Sequence, residues 1–368
     1  MPNQELFNTR VNRIMTAATL GKPDQIPVVL TADAFCAKHM GVKLADFIKD
    51  YNFGAEIMLK SFLDLGGVDG VQCLVPAAME INNSWLSRYK LPGRELGDDE
   101  LWQVNELEVM HPEDYDDVIK KGYNRFCNDI VIQRLGGTGA EMEPMLSAAP
   151  AAAQNAIEAG IVPFVGGVST IPYETFCGGR TMAKFMQDLF KIPDKVQEAM
   201  DASMPDIIGD AKGMVAMAKP LSVWVGGWRT ASQFLSRKLW ERFVWPYFKM
   251  LTEAFIDEGV IPTLHLDADW ERDLNYLLEL PKGKFIFSPD GATDMYKAKE
   301  ILDGHACFMG DVPPAMLALG TVDGVYNYSR KLISDFGPSG YILSQGCCIP
   351  PNAKVENVKA MIAAATGK

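Results

Sequence analysis

The chain has 368 residues, of which 48% are apolar, enough to bury a sizeable core. Its net charge of -12 repels phosphates, so a nucleic-acid partner is not expected. No apolar run of about 18 residues occurs, and no membrane span is expected either.

Seven cysteines are scattered at positions 36, 73, 127, 177, 307, 347 and 348, with no framework spacing. The opening "MPNQELFNTR" is polar and does not read as a leader. The expectation is a reducing cytoplasm, where such thiols are core residues, metal ligands or nucleophiles.

In chain order, eight short apolar runs bounded by Gly and Pro read as strands. They are "IPVVL" (26–30), "GVDGVQCLV" (67–75), "IVPFVGGV" (161–168) and "LSVWVGGW" (221–228). The second half adds "VIPTLHLD" (260–267), "KFIFSPD" (284–290), "ACFMGDV" (306–312) and "GYILSQGC" (340–347). Helical patterns lie between them. In 237–259, Leu239, Phe243, Tyr247, Met250, Leu251 and Ala254 recur at helical spacing. Segment 76–135 is more polar and reads as helices capping the main body. "GGTGAEMEP" (136–144) lacks a phosphate-loop ending and reads as a surface loop.

Strands that are apolar on both faces, alternating with helices, predict a buried parallel sheet. Eight of them predict a single α/β domain over 1–368, a closed (β/α)8 TIM barrel with extra N-terminal helices. An open doubly wound sheet is the competing arrangement.

Polar residues fall at the C-terminal ends of four successive strands, where a barrel gathers its active site. His265 and Asp267 end one strand, Asp290 the next, Asp311 the third, and Cys347 and Cys348 follow the last. Residues i and i+2 of a strand share a face, so His265 and Asp267 can both look into the mouth. Asp267 either coordinates a metal beside His265 or orients the imidazole. Asp269 reads as solvated or as a helix cap. Trp224, Trp240, Trp245 and Trp270 read as packing residues. Trp228, after two glycines at a strand end, reads as pocket lining.

At these residues the chain resembles the uroporphyrinogen decarboxylase superfamily. The resemblance is carried by "TRVNRIMTAATLGKPDQIPVV", "FVGGVSTIPYETF", "SRKLWERFVWPYFKML" and "ILSQGCCIPPNAKVENVKAMIAA". It implies the barrel. The superfamily's decarboxylases grip a polyacidic tetrapyrrole with an arginine-rich loop. Here that stretch is "VVLTADAFCAKHMG", with no arginine. Its methyltransferases bind zinc through His-x-Cys and a later Gly-Cys. His265 and Cys347 match those ligands, Asp267 stands where a cysteine is expected, and Cys348 and Cys307 are fallback ligands.

The resemblance implies a zinc enzyme working with a corrinoid (cobalamin) held on a separate protein that docks at the mouth. The expected reaction takes a methyl group from a small-molecule methoxy donor, a phenyl methyl ether, to a Co(I) corrinoid. Asp267 and Asp290 are the expected catalytic residues, and Trp228 and Asp311 the expected substrate contacts. Transfer from a methylcorrinoid to a thiol, a decarboxylase and a non-catalytic corrinoid-binding barrel are the alternatives. Homodimerisation is left open.

Overall fold

A computed structural model describes residues 3–77, 85–136 and 138–367, without the side chains of 138–142. Eleven strands appear among the described residues. They are β1 (Val29–Leu30), β2 (Gly70–Val71), β3 (Arg88–Lys90), β4 (Gln103–Asn105), β5 (Val162–Pro163) and β6 (Val165–Thr170). They continue as β7 (Ser222–Gly227), β8 (Ile261–Leu266), β9 (Ile286–Pro289), β10 (Cys307–Val312) and β11 (Tyr341–Gln345). All eight predicted strand segments contain one or two of them.

Parallel pairing runs β1-β2-β5 and then β6-β7-β8-β9-β10-β11. Phe164 joins the two sheets: its N–H donates to Val71 and its carbonyl accepts from Ser222. β5 and β6 are therefore two halves of one stave. The Val28–Leu343 bridge ties the last stave to the first. Eight staves close into the predicted barrel.

Alternation along each stave divides the core. Val29, Val162, Phe164, Ile261, Ile286, Cys307, Met309 and Ile342 form an inner cluster. Val28, Leu30, Val223, Val225, Leu264, Leu266, Phe287 and Leu343 join the cluster under the surrounding helices. Helix Gln4–Ala18 adds Ile14, Ala17 and Ala18 to the inner cluster, all fully buried, and so plugs the N-terminal end. Arg13 anchors the plug by pairing with Asp69 and Asp24, each at 2.6 Å. The interior is filled from below, and the C-terminal mouth is the open end.

Three expectations change. The helix of 237–259 is two, Arg237–Phe243 and Trp245–Asp257, because Pro246 can neither donate nor accommodate the preceding turn. Met250 consequently lies on its outer face, 44% exposed. Segment 76–135 contributes helices Asp114–Lys121 and Tyr123–Gln133, but also the antiparallel hairpin β3–β4. The loop expected over 136–144 belongs, from Thr138 onward, to helix Thr138–Glu158; residue 137 lies outside the described residues.

Candidate metal centre

β8 carries His265 to the mouth, where it is 2% exposed. Asp267 follows, its N–H donating to Gly227 O at 3.0 Å and its carbonyl accepting the Trp270 indole N–H at 2.9 Å. Ala268 sits in the left-handed region, with φ of 64°. Asp290, at the end of β9, holds that turn: Oδ2 accepts from Ala268 N at 2.9 Å and Oδ1 from Ala292 N at 2.8 Å. Thr293 adds a hydrogen bond to Ala268 O and accepts one from Trp270 N.

The Cys347 loop is tied to its neighbours in the same way. Gly346 N donates to Val312 O, Ile349 N to Thr31 O, and the Gln345 amide to Cys347 O at 2.7 Å. A Cβ on Gly346 would come within 2.6 Å of the Asp290 carbonyl, so no larger residue fits before the cysteine.

These two loops bring His265, Asp267 and Cys347 together. One ligand atom of each lies within 4.8 Å of the other two, the one such His/Cys/Asp/Glu cluster among the described residues. His265 Nε2 and Asp267 Oδ1 are 3.2 Å apart. That oxygen is buried and takes part in no aligned hydrogen bond, and neither does His265 Nδ1. A nitrogen, an oxygen and a sulfur converging around an unsatisfied oxygen is a donor set suited to zinc.

Proton affinities reflect the crowding. Burial opposes a charged imidazole at His265, but Asp267 and Cys347 more than reverse it and raise the group to about 10. Cys348 donates to Cys347 and, with burial opposing and His265 assisting, holds the Cys347 thiol well below its ordinary value. A divalent cation binding there would displace the proton held at His265.

Other predicted site residues lie elsewhere. Cys307 belongs to the fully buried inner cluster, paired in register with Ile286, below the mouth; it is not a ligand candidate. Cys348 is outside the ligand cluster, in the electrostatic range of Asp33 and Cys73. Asp311 turns its carboxylate to the Tyr328 hydroxyl at 3.2 Å, and burial raises it to about 6. Asp269 caps the following turn, accepting from Glu271 N at 2.8 Å.

One wall of the mouth is aromatic. The Trp228 ring fills the space a side chain at Gly226 would need, 2.5 Å from that Cβ, and meets Trp85 edge-on at 5.5 Å. Arg229 lies over Trp85 at 4.4 Å. Glu174, fully buried, accepts from Arg229 N at 2.6 Å and from the Trp85 indole at 3.0 Å. Trp224 stacks on His265 with ring centroids 4.3 Å apart. Sequence reading missed Trp224 as a site residue, and also Glu174 and Asp33. A cavity of about 420 Å3 lies away from the cluster, beside β6 and lined by Tyr123, Cys127, Asp210 and Met214 among others.

A sequence model of the uroporphyrinogen decarboxylase (URO-D) family matches residues 133–367. The chain belongs to the URO-D family. A solved structure, a methyltransferase from Methanosarcina mazei, superposes on this URO-D chain with a TM-score of 0.69 at 18% identity, covering 96% of each chain. No curated protein sequence matches it. The fold is therefore shared with that structure.

Proposed function

We propose that this chain is a zinc-dependent methyltransferase of a corrinoid system, taking a methyl group from a methoxy donor, a phenyl methyl ether, to a Co(I) corrinoid on a partner protein. The observation that carries the reading is the convergence of His265, Asp267 and Cys347 around an unsatisfied carboxylate oxygen. The structural likeness to a methyltransferase from Methanosarcina mazei supports the reaction class.

His265, Asp267 and Cys347 would hold the zinc. When bound, zinc supplies a Lewis acid for the donor's ether oxygen, and the Co(I) corrinoid, a co-substrate, supplies the nucleophile. A carboxylate in place of a thiolate is the harder ligand and leaves the metal better suited to oxygen than to sulfur. This is why we rank ether cleavage above transfer to a thiol. Asp290 serves as a positioning residue, since both its oxygens bind the amides that shape the Asp267 turn. Trp228 and Trp224 would give an aromatic donor an apolar wall, and the filled barrel beneath them excludes water. No proton is taken from the methyl donor, so the site needs no general base.

A decarboxylase acting on a polyacid is disfavoured by charge. Asp33, at the end of the first stave, is buried at the mouth, and burial keeps its carboxyl above the usual range. Arg229, on the aromatic wall, is engaged by Trp85 and Glu106. Neither offers a clamp for several carboxylates.

The test is metal analysis of wild type and His265→Ala, followed by the absorbance of Co(I) corrinoid with a panel of methoxy compounds. Near-stoichiometric zinc in wild type, its loss in the variant and donor-dependent methylcobalt formation are expected. A wild type that binds no added zinc sinks the reading. Methyl loss to a thiol from methylcobalamin, with no ether activity, would reassign the chain to the thiol-methylating reaction.

A further inference from the structure

We infer that Trp224 is the positioning residue of the metal centre: its indole, anchored by Gln72, fixes the plane of the His265 imidazole. The link to zinc rests on the proposed function; the stacking itself does not.

A metal-ligating histidine is ordinarily held by a hydrogen bond from its second ring nitrogen to a carboxylate, carbonyl or water. His265 departs from this. Nε2 faces Asp267 at 3.2 Å, while Nδ1 is buried and has no hydrogen-bond partner. No hydrogen bond on Nδ1 fixes the plane of the ring.

The restraint comes from the ring face. Trp224 and His265 are parallel within 4°, with centroids 4.3 Å apart. Turning the imidazole out of that plane would drive its edge into the indole. Trp224 is itself fixed, because its Nε1–H donates to Gln72 Oε1 at 2.5 Å. Gln72 is 8% exposed, and its Nε2 lies 4.0 Å from the sulfur of Met309, which is fully buried in the inner cluster. A continuous contact path therefore runs from the packed barrel interior on β10, through Gln72 just after β2 and Trp224 on β7, to His265 on β8.

The register makes room for this. Trp224 pairs with Thr263, and His265 pairs with Gly226, whose side-chain space is taken by Trp228. Aromatic stacking here does what a second hydrogen bond does in other histidine–metal sites. It leaves Nδ1 without a proton acceptor that would strengthen the imidazole as a ligand.

The experiment uses the full chain with Trp224→Leu, Trp224→Phe, Gln72→Leu and His265→Ala, in two arms. In the first, zinc affinity is measured by competition with a chelator. Trp224→Leu should weaken binding about 10- to 100-fold, the range for lost orienting partners. Trp224→Phe, which restores a ring to the stack, should recover most of it, and Gln72→Leu should fall between. Gln72→Leu keeps the indole and carries the test if Trp224→Leu does not fold.

In the second arm, indole emission is read on metal-free protein. His265→Ala should brighten wild type and leave the Trp224→Phe background unchanged. Zinc binding by Trp224→Leu and Gln72→Leu as tight as wild type overturns the inference, as does equal brightening in both backgrounds. A wild type that takes up no zinc overturns the proposed function alone, because the emission arm still decides the stacking.

Discussion

On the proposed function, the chemistry turns on Asp267. Its buried oxygen 3.2 Å from His265 Nε2 is the hard donor in an otherwise softer set. Asp267→Cys should therefore keep its zinc and lose on the order of 10²-fold in ether demethylation, comparable to the loss of a preorganised electrostatic partner. Metal content and the corrinoid assay together check this; full ether activity would refute the Lewis-acid argument while sparing the site. Glu174 offers a separate test. Burial, opposed by the Arg229 amide and the Trp85 indole, lifts its carboxyl from 4.5 to about 7. A raised carboxyl favours the protonated folded form, so its contribution is fully present below the unfolded value near 4.5. It is lost as pH rises through 7. The swing is on the order of 3 kcal/mol. Urea unfolding of wild type at pH 5 and pH 8 should show that loss, and Glu174→Gln should show much less of it.

At the level of elements, the loop after β8 depends on the end of β9. Asp290 accepts the amides of Ala268 and Ala292, one of them in a left-handed turn that alanine does not favour. Asp290→Ala should cost about 2 kcal/mol in urea unfolding, the scale of lost charge-assisted hydrogen bonds, and should weaken zinc binding with it. Asp290→Asn keeps one acceptor and should recover part of both. The staves themselves were legible in the sequence because a strand buried on both faces leaves an unbroken apolar run. His265 and Asp267 stood out because they close such a run at a strand end; His265 and Cys347 were matched to ligands by the resemblance. Trp224 was not, since an inward indole on a strand reads the same whether it packs a core or a ligand. Nor was Glu174, which looks like any solvated helix carboxylate until Trp85 and Arg229 close over it. Asp290 was recognised as a site residue, but which groups its oxygens bind depends on two loops meeting, and no spacing reveals that. The hairpin β3–β4 was missed because its strands are three residues long and mostly polar.

Across the whole molecule, no helix among the described residues is long and apolar enough to cross a membrane. The mouth is the face on which we place the corrinoid carrier. Leu319 ends the short helix that follows β10 and is 80% exposed. Leu319→Asp should slow methylation of carrier-bound corrinoid about tenfold, a loss of the size seen at interface anchor residues. Free cobalamin should be methylated at an unchanged rate. Stopped-flow traces with both acceptors check the difference, and equal slowing would remove Leu319 from the interface.

The helix Gln4–Ala18 makes the barrel a blind alley. Ile14, Ala17 and Ala18 stop its far end, so the small donor and protein-borne acceptor we propose would have to share one doorway. Under the proposed function, traffic would have a compulsory sequence: the donor enters first, the carrier closes the door, and the demethylated product waits until the carrier departs. Initial-rate kinetics should fit ordered addition rather than random. Excess unmethylated carrier should inhibit by occupying the doorway of the empty enzyme, and raising the donor concentration should relieve that inhibition.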